Sequence, residues 1–449
     1  MTYVKSDISI MKFDSFNGNI ISFSAGTAIT WASPEIEKLK NSTMAVSDGQ
    51  GSWINSLFLL GASFGPFLFG YLADKIGRKK TLVSMGCPMA MGFVVMALVK
   101  VVQVFYAARF VIGLAVGGLF TVMPMYIGEI ADSSNRGTLS GILNILLCMG
   151  MLFSYCVGPY VDILIFNLIL GVIPAIFMPL FSLFSVESPR YLIGKNEIDE
   201  AKKNLRWLKG KGDDVNTEIA AIETAISEEG NGGIGDLFKS SGNVRALIIA
   251  SGLIFFQQFS GINAVLSNAQ NIFKQAKTPL DASVCSMLVG AVQLISSGLS
   301  MVLIDRLGRK LLLLGSGLGV VLSEVPLGVY SVLRDRDIDV GSISFLPIIS
   351  LVIFILTYNV GLGSLPWTVM GELYPSNIKS IGSSVTASFC WMLGFLIVYF
   401  FNSLIERFGL GTCFFIFSAC SACSVLFVQF YCIETKGKTL EEIQKELNA

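Results

Sequence analysis

Long apolar runs separated by short charged turns set the pattern of this chain. About twelve stretches are apolar for close to 20 residues, enough to cross a hydrocarbon core of roughly 30 Å. They run near 13–33, 53–73, 81–99, 104–127, 138–160, 164–186, 245–272, 282–304, 311–333, 343–371, 381–403 and 410–432. Each predicts a membrane-spanning helix, because a backbone in lipid must satisfy its own hydrogen bonds. From Glu187 to about Val244 the pattern changes to charged residues with two helical periodicities. Ile198, Ala201, Leu205 and Leu208 follow Asn196 as a cap, and Val215, Ile219, Ile222 and Ile226 form the second set. This segment divides the spans six and six. It predicts an organisation of 1–186, a first half; 187–244, a linker with short amphipathic helices; 245–432, a second half; and 433–449, a tail.

Composition strengthens the membrane reading. Across 449 residues, 53% are hydrophobic and 14% charged, and the mean hydropathy is +0.67, against about a quarter charged in soluble proteins. The polar N-terminus MTYVKSDISIMKFD does not match a signal peptide, so it is expected in the cytoplasm, with an even number of spans returning the C-terminus there. Of the 32 Lys and Arg, Arg109 falls inside a span, and Lys38, Lys40, Lys100, Lys274, Lys277, Arg334, Arg336 and Arg407 fall outside. The remainder lie on the cytoplasmic side, as positive residues should. The sequon Asn41-Ser42-Thr43 lands in the first outer loop, where glycosylation is expected.

Charged turns repeat. LADKIGRKK (Leu72 to Lys80) returns as LIDRLGRK (Leu303 to Lys310). Glu129, seven residues before Arg136, returns as Glu372, seven before Lys379, and Glu187-Ser returns as Glu434-Thr. The offsets of 231, 243 and 247 residues predict two homologous six-span halves. Parallel halves of this kind are a transporter architecture, with substrate near the midplane between them.

At these residues the chain resembles the sugar porters of the major facilitator superfamily. The resemblance rests on both charged turns and on GEIADSSNRG (Gly128 to Gly137), ESPRYL (Glu187 to Leu192), QQFSGINA (Gln257 to Ala264), PWTVMGELYP (Pro366 to Pro375) and ETKGKTLEEI (Glu434 to Ile443). Within that family, the short tails and the GLGSLPW approach to Trp367 look most like the insect facilitated trehalose transporters. The fold so implied is all-α, with twelve transmembrane helices in two homologous halves. The activity so implied is facilitative transport of a small sugar, trehalose first and a hexose as the alternative, by a plasma-membrane protein working as a monomer without a cofactor.

The charged turns suggest a conformational latch on the cytoplasmic face. Asp74, Gly77, Arg78, Glu129, Arg136, Glu187, Arg190, Asp305, Gly308, Arg309, Glu372, Lys379 and Glu434 are its members, arginines and carboxylates of different spans joining in one conformation and separating in the other. The substrate site is read from neutral polar residues inside spans, since a sugar offers hydroxyls and an apolar ring face. Gln257, Gln258, Ser260 and Asn263 lie in seven residues of span seven, and amides donate and accept as hydroxyls do. Positions 258 and 263 lie about 140° apart on a straight helix, at about 100° per residue. Both line one cavity only if the helix bends, and Ser260-Gly261 is the place for a kink. Asn144, Gln293 and Asn359 are further amides at depth, and such amides also glue helices together. Gly361, Gly363 and Pro366 interrupt span ten before Trp367, and Trp391 follows in span eleven. The resemblance places Gln257, Gln258, Asn263, Gln293, Trp367 and Trp391 at sugar-contacting positions. Asn144 and Asn359 replace a Gln and a Glu of the hexose pattern.

Proton-coupled sugar porters carry an Asp in span one opposite the span-four arginine. Here the arginine remains as Arg109, and the span-one position matches Ser24 in ISFSAGTAIT. With no histidine in the chain, this predicts proton-independent transport. Glu324, deep in span nine, is a functional candidate by its depth, though span nine is peripheral in the family. Other chemistry is not indicated. Nine cysteines lie in apolar spans, Cys420-Ser-Ala-Cys423 has no second pair, and no phosphate loop or hydrolytic triad occurs, so neither a metal, nor ATP, nor enzymatic catalysis, nor nucleic acid is expected. Gly61/Gly65, Gly113/Gly117 and Gly315/Gly319 suit close helix packing. A non-transporting sugar receptor usually carries a long signalling tail, and only a short one follows Glu434. An organic-ion carrier would want a charge in the central cavity beyond Arg109.

Overall fold

The computed structural model describes residues 18–131, 136–209, 215–228, 233–375, 378–438 and 440–448. The N-terminal stretch read as cytoplasmic lies outside the described residues. Among them, ten helices are long and apolar enough to cross a membrane. Two facts bring the spans to twelve. Helix α1 (18–30) is the described part of span one. Helix α17 (Lys379–Tyr431), 53 residues long, holds spans eleven and twelve and folds back at Gly409, where φ is 80°.

In the first half, α2 (Ala32–Asn41) extends span one beyond a turn at Trp31. Spans two to six are α3 (Asp48–Ile76), α4 (Arg78–Leu98), α5 (Val102–Ile130), α6 (Arg136–Val157) and α7 (Ile163–Phe184). The linker carries α8 (Pro189–Gly194), α9 (Ile198–Lys209) and α10 (Val215–Glu228). In the second half, span seven is α11 (Ser241–Phe259) plus α12 (Ile262–Ala276), followed by α13 (Ala282–Leu307) and α14 (Arg309–Asp335). Span ten is α15 (Leu346–Tyr358), a π-helical turn at Asn359–Gly363 and α16 (Leu365–Leu373). A tail helix, α18 (Leu440–Asn448), ends the described chain.

Glycine sets the closest approach. An added Cβ on Gly61, Gly113 or Gly117 would stand 2.0, 1.9 or 2.0 Å from the carbonyl oxygens of Phe110, Phe58 and Ala62. Spans two and four thus run backbone to backbone, as small residues allow in lipid. Gly315, read as part of a third packing motif, faces nothing within 4 Å; only Gly319 of that pair meets a neighbour, the side chain of Thr357.

The linker helices bury Leu192, Ile193, Ala201, Leu205, Val215 and Ile219 against one another, as the periodicity predicts. Asn196 is not their cap. It takes a φ of 64° between α8 and α9, the left-handed conformation that Asn tolerates.

The two halves meet on the face away from the linker and at mid-depth. The Gln270 amide N–H donates to Ser33 Oγ at 3.2 Å, Lys274 pairs with Glu37, and Asn402 donates to Ser52 Oγ at 2.9 Å. Deeper in, Tyr155 donates its hydroxyl to the Leu266 carbonyl at 2.6 Å. On the side away from the linker the two halves are therefore shut against each other.

Candidate functional site

Span seven breaks at the place that the amide spacing requires. Gly261 has a φ of 77° and separates α11 from α12. The break brings Gln258 and Asn263 together, Asn263 Nδ2 donating to Gln258 Oε1 at 2.5 Å. Gln258 Nε2 in turn donates to the Cys390 sulfur at 3.0 Å. Gln257 turns the other way. Its Nε2 donates to the carbonyls of Leu362 and Gly363 at 2.7 and 2.9 Å, satisfying oxygens that the π turn of span ten frees. In this conformer Gln257 holds span ten, the helix-gluing role open to any such amide.

Asn359 Nδ2 donates to Ser296 Oγ at 2.9 Å. Gln293 Nε2 reaches the Met151 sulfur of the first half at 3.2 Å, and Asn144 is half-buried on α6. Phe120 of span four brings the two tryptophans together, with ring centroids 6.0 Å from Trp367 and 5.2 Å from Trp391. Among the buried polar atoms without a protein partner are Gln293 Oε1 and Trp391 Nε1. One accepts and one donates, the pair of functions that a sugar hydroxyl matches. Sequence reasoning missed Phe120 and Cys390: an aromatic ring or a thiol in an apolar span carries no pattern that separates it from core.

On the linker face the repeated turns have one geometry, built twice. Gly77 and Gly308 take φ of 103° and 86°, ending one span and starting the next. Each new helix then offers unbonded N–H groups, and a carboxylate from the end of the half caps them. Glu187 Oε1 accepts from the Arg78 and Lys79 amides at 2.8 and 3.1 Å. Glu434 accepts from those of Arg309 and Lys310, both at 3.0 Å. A Cβ on Gly77 would stand 2.3 Å from Glu187 Oε2, so only glycine admits the cap. Burial pushes the Glu434 carboxyl up, but the backbone donors Arg309, Lys436 and Lys310 and the Arg309 charge outweigh it and hold it below its ordinary value. This cap is present above the ordinary carboxylate range and is lost only as pH falls through the lowered value.

The arginine side chains take the other carboxylates. Arg78 Nε meets Glu129 Oε2 at 2.9 Å and Arg78 Nη2 meets its Oε1 at 3.0 Å. Arg309 Nη2 meets Glu372 at 2.8 Å. Asp74 reaches Arg78 at 3.3 Å from a more exposed position. These contacts stay within one half. The expectation that Glu187 and Glu434 serve as ion-pair partners is thereby refined, since both also act as helix caps for backbone amides. Arg190 and Lys379 make contacts of their own; the side chains of Arg136 and Asp305 lie outside the described residues.

Removing the more buried carboxylate should therefore cost more than removing the exposed one. Glu129→Gln leaves the Arg78 charge half-satisfied and is expected to destabilise the fold by roughly 2 kcal/mol, below the 3–5 kcal/mol of a fully buried pair. Asp74→Asn, at a side chain 65% exposed, should change stability by under about 0.5 kcal/mol. Thermal unfolding of the purified protein compares them, and equal shifts would refute the ranking.

Arg109 is fully buried. It donates to the carbonyls of Ala28 at 2.8 Å and Ile54 at 3.3 Å, and its guanidinium lies over the rings of Trp31 and Phe58 at 4.9 and 4.4 Å.

Comparison with known proteins settles the family. The family model described as sugar (and other) transporter matches residues 15–447. This chain belongs to the sugar (and other) transporter family. The transporter is 33% identical over 438 residues to the facilitated trehalose transporter Tret1 of Bombyx mori, covering 97% of this chain and 86% of that one. It is 32% identical over 429 residues to Tret1 of Culex quinquefasciatus, covering 94% and 83%. Its fold matches the inward-open xylose transporter XylE of E. coli with a TM-score of 0.80 at 21% identity, covering 98% of the transporter and 99% of that chain. A structure of the proton:xylose symporter XylE bound to 6-bromo-6-deoxy-D-glucose matches with a TM-score of 0.78 at 22% identity, covering 99% and 100%. The transporter is thus a twelve-span carrier of the major facilitator fold, not an enzyme.

Proposed function

We propose that this transporter is a facilitative carrier of trehalose, working by alternating access as a monomer in the plasma membrane with both termini cytoplasmic. The observation that carries the substrate site is the Gln258–Asn263 amide contact at the break of span seven, with Gln293, which reaches Met151 of the first half, and Trp391, which meets Phe120, each holding a buried polar atom without a protein partner. Trehalose as the sugar rests on the likeness to the facilitated trehalose transporters of Bombyx mori and Culex quinquefasciatus. Closure of the outer side by a few polar contacts, Ser33 to Gln270, Glu37 to Lys274 and Ser52 to Asn402, favours alternating access, because such contacts break and reform at small cost. The charged turns would act in that cycle by keeping the inner ends of each half rigid. Asn41 stands exposed on the same outer face, its Nδ2 donating to the Glu37 carbonyl at 3.0 Å, and its second N–H is the position for a glycan.

Proton independence rests on Arg109. Its neighbours are carbonyls and aromatic rings, and the Ser24 hydroxyl has no partner. No carboxyl that exchanges a proton with sugar binding is among these neighbours. Glu324, buried between spans nine and twelve, and Glu35, buried on the helix that extends span one and paired with Lys38, are the competing acids. Uptake into sealed vesicles under an imposed pH gradient, without a sugar gradient, decides the matter. Internal sugar should rise to the external concentration and stop. Accumulation beyond it that collapses with a protonophore would refute this assignment and select proton symport.

A further inference from the structure

A cavity of about 690 Å³ opens on the outer face beside the closed seam between the halves, well apart from Gln258 and the tryptophans in the chain elements that line it. It lies under α2, the loop at Val99 and Lys100, and the loop from Pro159 to Leu164, and Gln270 and Ser283 of the second half close its far wall. The volume falls within the roughly 300–1,000 Å³ of small-molecule sites. We propose that this cavity is a second, external sugar-binding site, distinct from the central one, and that its occupancy holds the outer face shut.

The lining selects the ligand. Cations and carboxylates are balanced around it, Lys38 and Lys100 against Glu37 and Asp162. Lys38 is already spent, its ammonium meeting Glu35 at 2.8 Å and the Val161 carbonyl at 2.5 Å, and so is Glu37, which pairs with Lys274, so Lys100 stands against Asp162. A ligand of one charge therefore meets as much repulsion as attraction, whereas a neutral polyol finds acceptors, amide and hydroxyl donors, and a free lysine. Tyr160, 67% exposed, offers an aromatic face at the rim, and an apolar sugar face covers such a ring. Acceptors and donors with one aromatic ring match a sugar better than a lipid chain or an anion.

The position selects the effect. Ser33 and Glu37 of α2 contact Gln270 and Lys274 of α12 across the seam, and Glu37 and Gln270 also line the cavity. A sugar touching both walls binds only while the halves are together on this side. Its differential affinity then favours the outer-closed conformer, so external sugar at high concentration slows its own uptake.

This inference rests on the sugar reading of the central site, and the test separates the two. Binding of radiolabelled trehalose to the full chain in lipid nanodiscs is titrated from micromolar to tens of millimolar. The parent should show two sites per chain, one tight and one weak. Gln258→Ala should weaken the tight site alone. Tyr160→Ala should weaken the weak site by about tenfold, the loss of one or two contacts at about 1 kcal/mol each, and leave the tight site in place. Asp162→Ala, at a residue whose side chain makes no cap bond to α7, should do the same and stands in if the tyrosine variant is poorly made. A single site in the parent, weakened by Gln258→Ala, overturns the external site and keeps the central one. Two sites with neither responding to Tyr160→Ala or Asp162→Ala overturn its placement in this cavity. Absence of any trehalose binding to the parent sinks both readings.

Discussion

Gln258→Ala is expected to cut uptake at subsaturating sugar by about 5- to 150-fold while the protein still reaches the surface. The amide that it removes sits at the break of span seven, 4% exposed, accepting from Asn263 and donating to Cys390. Truncation leaves one sugar hydroxyl without its partner in a dry site, and that loss costs about 1–3 kcal/mol, which sets the range. The change should appear chiefly in KM, because the affinity for sugar is what suffers. Direct binding and initial-rate uptake check it together. An unaltered KM would remove span seven from the site.

A larger loss, of the fold itself, is expected at Gly113. A methyl group there would lie 1.9 Å from the Phe58 carbonyl oxygen, a backbone atom that no rotamer change can move aside. Spans two and four would have to separate, and the contacts at Gly61 and Gly117 go with them. Ordinary overpacking costs about 1–3 kcal/mol. Backbone against Cβ is worse, and the reserve is only about 5–15 kcal/mol. Gly113→Ala should therefore show little or no folded transporter by size-exclusion chromatography, while Gly315→Ala, with nothing within 4 Å, behaves as the parent. Parent-like yield and melting for Gly113→Ala would mean that the two spans pack less closely than described.

Much of this was legible in the chain. Span positions follow from hydropathy alone, because lipid permits few alternatives to an apolar helix. The break at Gly261 was legible for a geometric reason, since two amides five residues apart cannot share a cavity on a straight helix. Other features were hidden for physical reasons as clear. Gln257 and Gln258 are identical and adjacent, yet one holds the π turn of span ten and the other faces Asn263; the difference lies in which freed carbonyls stand nearby, a tertiary fact. Glu187 and Glu434 looked like partners for arginine side chains, because their work on backbone amides across a hundred residues leaves no mark on sequence spacing. Phe120 draws the tryptophans together from the opposite half. Asn196 was read as a helix cap from its residue type, but a left-handed turn uses the same residue, and the close packing of α8 on α9 decided between them.

The fold-back at Gly409 bears on how the carrier moves. Spans eleven and twelve are joined by a single non-helical residue with a φ of 80°, where an added Cβ would lie 3.1 Å from Asp335 Oδ2 at the end of α14. A loop of several residues would let one span tilt while its neighbour stayed still. Here there is no slack. Any rocking of span eleven, which carries Cys390 and Trp391 against the amides, transmits to span twelve as through a stiff lever, and from there to span nine, against which span twelve packs. In the alternating-access cycle proposed above, sugar leaving the proposed central site would therefore be felt at the rim of its own half within the same stroke, without a separate relay.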